Sequence, residues 1–161
     1  MKTDNLNDNK FMRLAIKKAG QGVRKGQSPF GACIVKKGKI ICCAHNIVWG
    51  STDITAHAEI NAIRSACRIL RTVDLSGCAI YSTCEPCPMC FSACHWAGLS
   101  RIVYGASIED AKKAGFSELR ISNSKMKKLG HSRIAVTGGL LLEENIRLLK
   151  LWSKRKDKRV Y

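Results

Sequence analysis

At 161 residues the chain is long enough for one domain that buries about two thirds of its unfolded surface without a disulfide scaffold. Its first ten residues are polar and no apolar run approaches the ~20 residues of a bilayer span, so no secretory signal or membrane anchor is expected and a cytoplasmic protein is. Lysine and arginine total 28 against 12 acids, and this +16 balance suits an anionic partner without specifying one, so a solvated basic surface is the simpler reading.

Phe11, Ala15, Ala19 and Val23 recur at helical spacing, with Arg13, Lys17, Lys18 and Arg24 on other faces, which predicts an opening amphipathic helix. The apolar runs from Gly31 to Val35 and from Ile40 to Ala44 flank Lys36-Lys37-Gly38-Lys39, where glycine permits the positive φ of a tight hairpin. Ile60, Ile63, Cys67 and Leu70 predict the buried stripe of a helix that opens around Ala56 to Glu59. Cys78 to Tyr81 reads as a third strand, a third helix begins within the cysteine motif that follows, and Ile102 to Tyr104 reads as a fourth strand. Glu109 to Ala114 is expected as a short helix and Ile134 to Thr137 as a fifth strand. Leu142, Ile146 and Leu149 mark a final helix carrying a Glu143/Arg147 pair. Ile121 to Ser132, lysine-rich and weakly periodic, reads as a loop or a frayed helix. The alternation of strands and helices predicts an α/β fold: a three-layer α/β/α sandwich with a mixed five-stranded sheet, one domain over residues 1–161.

Nine cysteines are many, yet Cys33, Cys42, Cys43, Cys67 and Cys78 sit in apolar stretches where a free thiol acts as a small hydrophobe. A reducing compartment fits them better than a disulfide framework. His57 and Glu59, followed downstream by Pro86-Cys87-Pro88-Met89-Cys90, carry the chemistry. One imidazole and two thiolates suit a zinc ion whose fourth position stays open to water, and such water loses a proton near neutral pH. Cys87 is expected as a helix N-cap with Pro88 at the first helical position. Cys87 and Cys90 then share the first turn, and the positive end of the helix favours their thiolates. Cys84 should leave a strand before Glu85-Pro86 and is not expected to close the site, while His45, His95 and His131 read as structural or surface residues.

Reading outward, the order of Pro29-Phe30-Gly31-Ala32, His45-Asn46, Thr55-Ala56-His57-Ala58-Glu59, Cys84-Glu85-Pro86-Cys87-Pro88-Met89-Cys90, His95-Trp96-Ala97, Asp110-Ala111, Gly115-Phe116 and Tyr161 resembles the bacterial guanine deaminases of the cytidine deaminase-like superfamily. The likeness runs from about Phe11 to Phe116 and includes the last residue. It implies a cytidine deaminase-like fold, one Zn2+ per subunit on His57, Cys87 and Cys90, and Glu59 as an unligated general acid and base. It also implies substrate contacts from Asn46, Phe30, Ala58, Trp96 and Tyr161. An amide such as Asn46 both donates and accepts, as a base edge requires, and Phe30 and Trp96 would wall a flat ring. Glu118, just after Gly-Phe, would accept from the N–H groups of guanine and help carry a proton to ammonia; the plainer alternative is an exposed acid paired with nearby bases. The basic segment 153–161 ends in Tyr161, which in relatives reaches an active site, in some cases that of the partner subunit, so a homodimer with domain exchange is implied.

The expected reaction is hydrolytic deamination of guanine to xanthine and ammonia, a step of purine catabolism. A tRNA adenosine deaminase shares His-Ala-Glu and Pro-Cys-x-x-Cys and would account for the charge; cytosine, guanosine or another aminated heterocycle are further substrates to weigh. From a different class comes a zinc-containing module that binds nucleic acid through its basic surface, and Glu59 speaks against it because a purely structural site has no use for that carboxylate. Nucleic-acid binding stays open but not favoured.

Overall fold

A computed structural model describes residues 2–161, with side chains from residue 7 onward. The elements follow as α1 (Lys2–Arg24), β1 (Gly31–Lys36), β2 (Lys39–His45), α2 (Val48–Ser51), α3 (Ala58–Leu70), β3 (Cys78–Cys84), α4 (Pro88–Trp96), β4 (Arg101–Ala106), α5 (Ile108–Lys113), α6 (Asn123–Leu129), β5 (Ala135–Thr137) and α7 (Leu142–Ser153). Lys37 and Gly38 take φ of 48° and 73° and turn β1 back into β2, as the hairpin signal predicts. The sheet order is β2-β1-β3-β4-β5, with β1 antiparallel to both neighbours and β3, β4 and β5 parallel, so the sheet is five-stranded and mixed as expected.

Successive strand residues point to opposite faces, and this alternation divides the core in two. Ala32, Ile34, Ile80 and Ile102 pack with Ala62, Ala66, Phe91 and Cys94 of α3 and α4, whereas Cys33, Val35, Tyr81 and Val103 pack with Phe11, Met12 and Ala15 of α1. α7 lies against α1 and β4. Close approach of α1 to the sheet depends on Gly31: a Cβ there would collide with the backbone oxygen of Ala15 and come within 2.7 Å of the Ala19 nitrogen. Those atoms are helix backbone and cannot swing aside. Gly31→Ala is therefore expected to destabilise the protein by about 1–3 kcal/mol in urea denaturation, and an unchanged midpoint would show that α1 floats on the sheet.

Three expectations need correction. Ile60, Ile63, Cys67 and Leu70 are only half-buried; the face of α3 that meets the sheet is Ala58, Glu59, Ala62 and Ala66, because small side chains let the helix sit close to β1 and β2 while larger ones flank it. Among the described residues the Glu143/Arg147 ion pair does not form; Glu144 instead accepts from Arg13 of α1 at 2.9 Å, an exposed link that solvent screens. Most of the segment 121–132 is the helix α6, started by Ser122, whose hydroxyl accepts from the Lys125 amide.

Candidate active site

Two helix starts converge to make the site. His57 is the N-cap of α3 and Cys87 the N-cap of α4, both with extended backbone, and Pro88 opens α4 as expected. Neither side chain caps its own helix, so both are free to turn toward a common point. His57 Nδ1 lies 3.5 Å from Cys90 Sγ and 3.8 Å from Cys87 Sγ, and the three donor atoms sit within 4.8 Å of one another. Bond lengths of about 2.3 Å to sulfur and 2.0–2.1 Å to nitrogen in a tetrahedron place such donors about 3.6 Å apart, so the set fits a zinc ion. Among the described residues no other trio of this kind occurs. A hydrogen bond from Cys90 holds the Cys87 thiol down at about 4, against the cost of its burial, and the same bond pushes Cys90 well up.

Glu59 follows on the first turn of α3 and is buried. Its Oε1 accepts from the Ser82 hydroxyl of β3 at 2.6 Å and its Oε2 lies 3.5 Å from Cys90 Sγ, beside the ligand trio but outside it. Burial raises its affinity for a proton, an effect partly offset by His57 and the Ser82 bond. Cys84 is buried at the end of β3 and directs its thiol to the Ser107 carbonyl at 3.5 Å. It leaves the metal position alone.

Asn46, fully buried at the end of β2, accepts from the Val48 amide at 3.1 Å and donates through Nδ2 to the Tyr161 hydroxyl at 2.6 Å. The Tyr161 ring stands 5.5 Å from the His57 ring and 5.8 Å from Phe116. Phe30 packs edge-on against Phe116 at 4.7 Å, and Ala58, the first residue of α3 after His57, is buried. The C-terminal segment is tied down on its own chain by Trp49, whose indole donates to the Arg159 carbonyl at 3.3 Å while the Arg159 guanidinium covers the ring at 4.6 Å. Glu118, in the loop after α5, has its Oε2 shut off from water with no hydrogen-bond partner among the described residues. Burial first, then the negative charges of Cys87 and Glu59, push its carboxyl up to about 8. A buried acceptor without a donor invites one from a ligand.

The structure does not bring Trp96 to this place. It is 87% exposed at the last residue of α4, six residues beyond Cys90 and thus about 9 Å farther along the axis, on the end of the helix that points away from the metal donors. His95 bonds to Ser132 at 3.1 Å and is structural, in keeping with its reading. Glu85 went unnoticed as a functional residue: buried, it accepts from the amides of Ile108 at 3.4 Å and Asn123 at 2.8 Å, while Asn123 donates to the Pro86 carbonyl at 2.5 Å. These bonds pin the cysteine loop to α5 and α6. Its place inside the cysteine string was a signal, but its partners come from chain more than 20 residues away.

Residues 6–106 match the cytidine and deoxycytidylate deaminase zinc-binding region. The chain is 38% identical over 157 residues to a guanine deaminase of Bacillus subtilis (strain 168), spanning 97% of this chain and 100% of that protein. A tRNA-specific adenosine deaminase of the same strain is 36% identical over 137 residues, 85% of this chain and 82% of that one. Among solved structures, that of a guanine deaminase from Nitrosomonas europaea superimposes with a TM-score of 0.85 and 29% identity, covering 91% of this chain and 85% of that one.

Proposed function

The chain belongs to the cytidine and deoxycytidylate deaminase family, which carries a zinc-binding region, and from that premise we propose that its substrate is guanine, hydrolysed to xanthine and ammonia. The observation that carries the choice of base is Glu118, a buried carboxylate oxygen without a donor beside the metal ligands. Guanine offers that unpartnered oxygen an amino group and a neighbouring ring N–H.

His57, Cys87 and Cys90 would hold the zinc ion, which would supply a water acidified to near neutrality. Glu59, its carboxylate fixed by Ser82, takes a proton from the attacking water as its oxygen adds to C2 of guanine and delivers that proton to the adjacent ring nitrogen. Glu118 steadies the N–H edge and gives its proton to the amino nitrogen while Glu59 takes the second water proton from the C2 hydroxyl, so that the C–N bond breaks, the C2 carbonyl forms and ammonia departs; the proton left on Glu59 replaces, by way of solvent, the one Glu118 gave up. Asn46, with one amide oxygen lone pair still free, orients the purine, while Phe30, Ala58 and Tyr161 exclude water around it. The decisive experiment incubates zinc-loaded protein with guanine, adenine, cytosine, guanosine and tRNA and follows ammonia and ultraviolet absorbance. Ammonia from guanine is expected; ammonia from tRNA with none from guanine would replace this reading by the RNA-editing one.

We read the chain as one catalytic domain, residues 1–161, acting as a homodimer in a reducing cytoplasm. All nine cysteines are free, and no described helix is long and apolar enough to cross a membrane. Because Tyr161 meets Asn46 of its own chain, exchange of the segment 153–161 is not needed to complete the pocket. Deleting Val160 and Tyr161 is expected to lower kcat/KM for guanine by about tenfold to a hundredfold, since Asn46 loses a partner and the pocket a wall. Undiminished turnover would make the terminus dispensable.

Glu118 also sets a pH dependence in the metal-free chain. Its folded carboxyl titrates near 8 against 4.5 unfolded, so its favourable contribution is complete below about 4.5 and is lost as pH rises through 8. Glu118→Gln should match the wild type in unfolding free energy at pH 4 and become progressively more stable than it up to pH 8. Parallel curves for the two proteins would place Glu118 in water.

A further inference from the structure

Away from the catalytic pocket, β1 and β2 set Cys33 and Cys43 directly opposite each other in an antiparallel ladder. Such partners have Cα atoms about 4.5–5.5 Å apart, inside the range a disulfide accepts. Their sulfurs lie 3.0 Å apart, so bonding them needs a shift of only about 1 Å. Cys33 is fully buried beneath α1, whereas Cys43 is half-buried and lines a groove of about 430 Å³ along the edge strand β2. Lys18 of α1, His45 of β2 and Arg64 and Arg68 of α3 share that groove, and no acid among the described residues lines it; Asp53, outside it, pairs with Arg64 at 3.6 Å.

We propose that Cys43 and Cys33 are a thiol–disulfide exchange pair, and that the groove draws to it a small disulfide bearing carboxylates. The two cysteines divide the work. The hydrogen bond between them and the nearby Lys18 hold Cys43 below the ordinary thiol range, which makes it the attacking thiolate; the same bond and burial hold Cys33 above that range, in reserve. Cys43 sulfur attacks one sulfur of the small disulfide, forming a mixed disulfide and releasing one small thiolate. Cys33 sulfur then attacks Cys43 sulfur, the mixed bond breaks, and the proton of Cys33 passes to the second departing thiolate. In sum one small disulfide is reduced to two thiols and the protein dithiol is oxidised to one cross-strand disulfide. Neither cysteine touches the zinc ligands, so the exchange can occur on the loaded enzyme.

The test treats zinc-loaded protein with oxidised glutathione, which carries carboxylates, or with cystamine, which is cationic, then alkylates free thiols and maps peptides by mass. A peptide cross-linked through Cys33 and Cys43, lighter by two hydrogens, is expected, forming about tenfold faster with oxidised glutathione than with cystamine. Cys33→Ala should stop at a glutathione adduct on Cys43, and Cys43→Ser should leave Cys33 unmodified. Replacing Arg64 and Arg68 together by alanine should erase most of the preference for the anionic disulfide. An unreacted Cys43, or an adduct on wild-type Cys43 that never resolves, overturns the exchange pair; equal rates with the two reagents overturn the role of the groove.

Discussion

Glu59→Gln is expected to keep one zinc ion per chain and to lose guanine turnover by about 10³-fold or more. Glutamine preserves the shape of the side chain and an oxygen to accept the Ser82 hydroxyl at 2.6 Å, so the pocket should remain assembled. What disappears is the capacity to take a proton from water and return it to the ring. Stability should hold as well, because burial already disfavours the ionised form of Glu59 and a neutral amide avoids that cost. Zinc content by elemental analysis and steady-state release of ammonia check both halves. A variant within tenfold of the wild type would remove Glu59 from the proton path.

Cys87→Ala should fail differently, losing metal and activity together. With one of three donors gone the site keeps a nitrogen and a single sulfur, and zinc should dialyse away along with the stability that its binding adds to the folded state. Cys87 is the informative position because it is the N-cap of α4 and less deeply buried than Cys90, so alanine there leaves the smaller cavity. Cys84→Ala is the companion control. Its thiol bonds to the Ser107 carbonyl, so this variant should retain a full complement of zinc; loss of metal from it would mean that Cys84 closes the coordination sphere.

The Cys87/Cys90 and His57/Glu59 pairs were legible because spacing within a few positions determines each, whereas the union of the two pairs across about 30 residues came from the family resemblance. Two cysteines on one helical turn share a face whatever the rest of the chain does, and Pro88 marks where that turn begins. Trp96 shows the limit of such reading. An aromatic close in sequence to the ligands looks like a pocket wall, but helical rise carries it to the far, solvent-exposed end of α4. The stripe of α3 failed for another reason: large apolar residues mark an amphipathic helix, yet which of its small residues lie flat on the sheet depends on how close the sheet comes.

Taken alone, the order of residues determined the α/β alternation, the hairpin at Lys37 and Gly38, and the separate Cys87/Cys90 and His57/Glu59 pairs, since each rests on backbone geometry over a few residues. Only the tertiary structure decided where Tyr161 docks, that Glu118 loses water on one oxygen, that Glu85 braces the cysteine loop, and that Cys33 faces Cys43. Those outcomes join segments far apart in the chain, and burial and strand register, which no local spacing encodes, set both the distances and the proton affinities that follow from them.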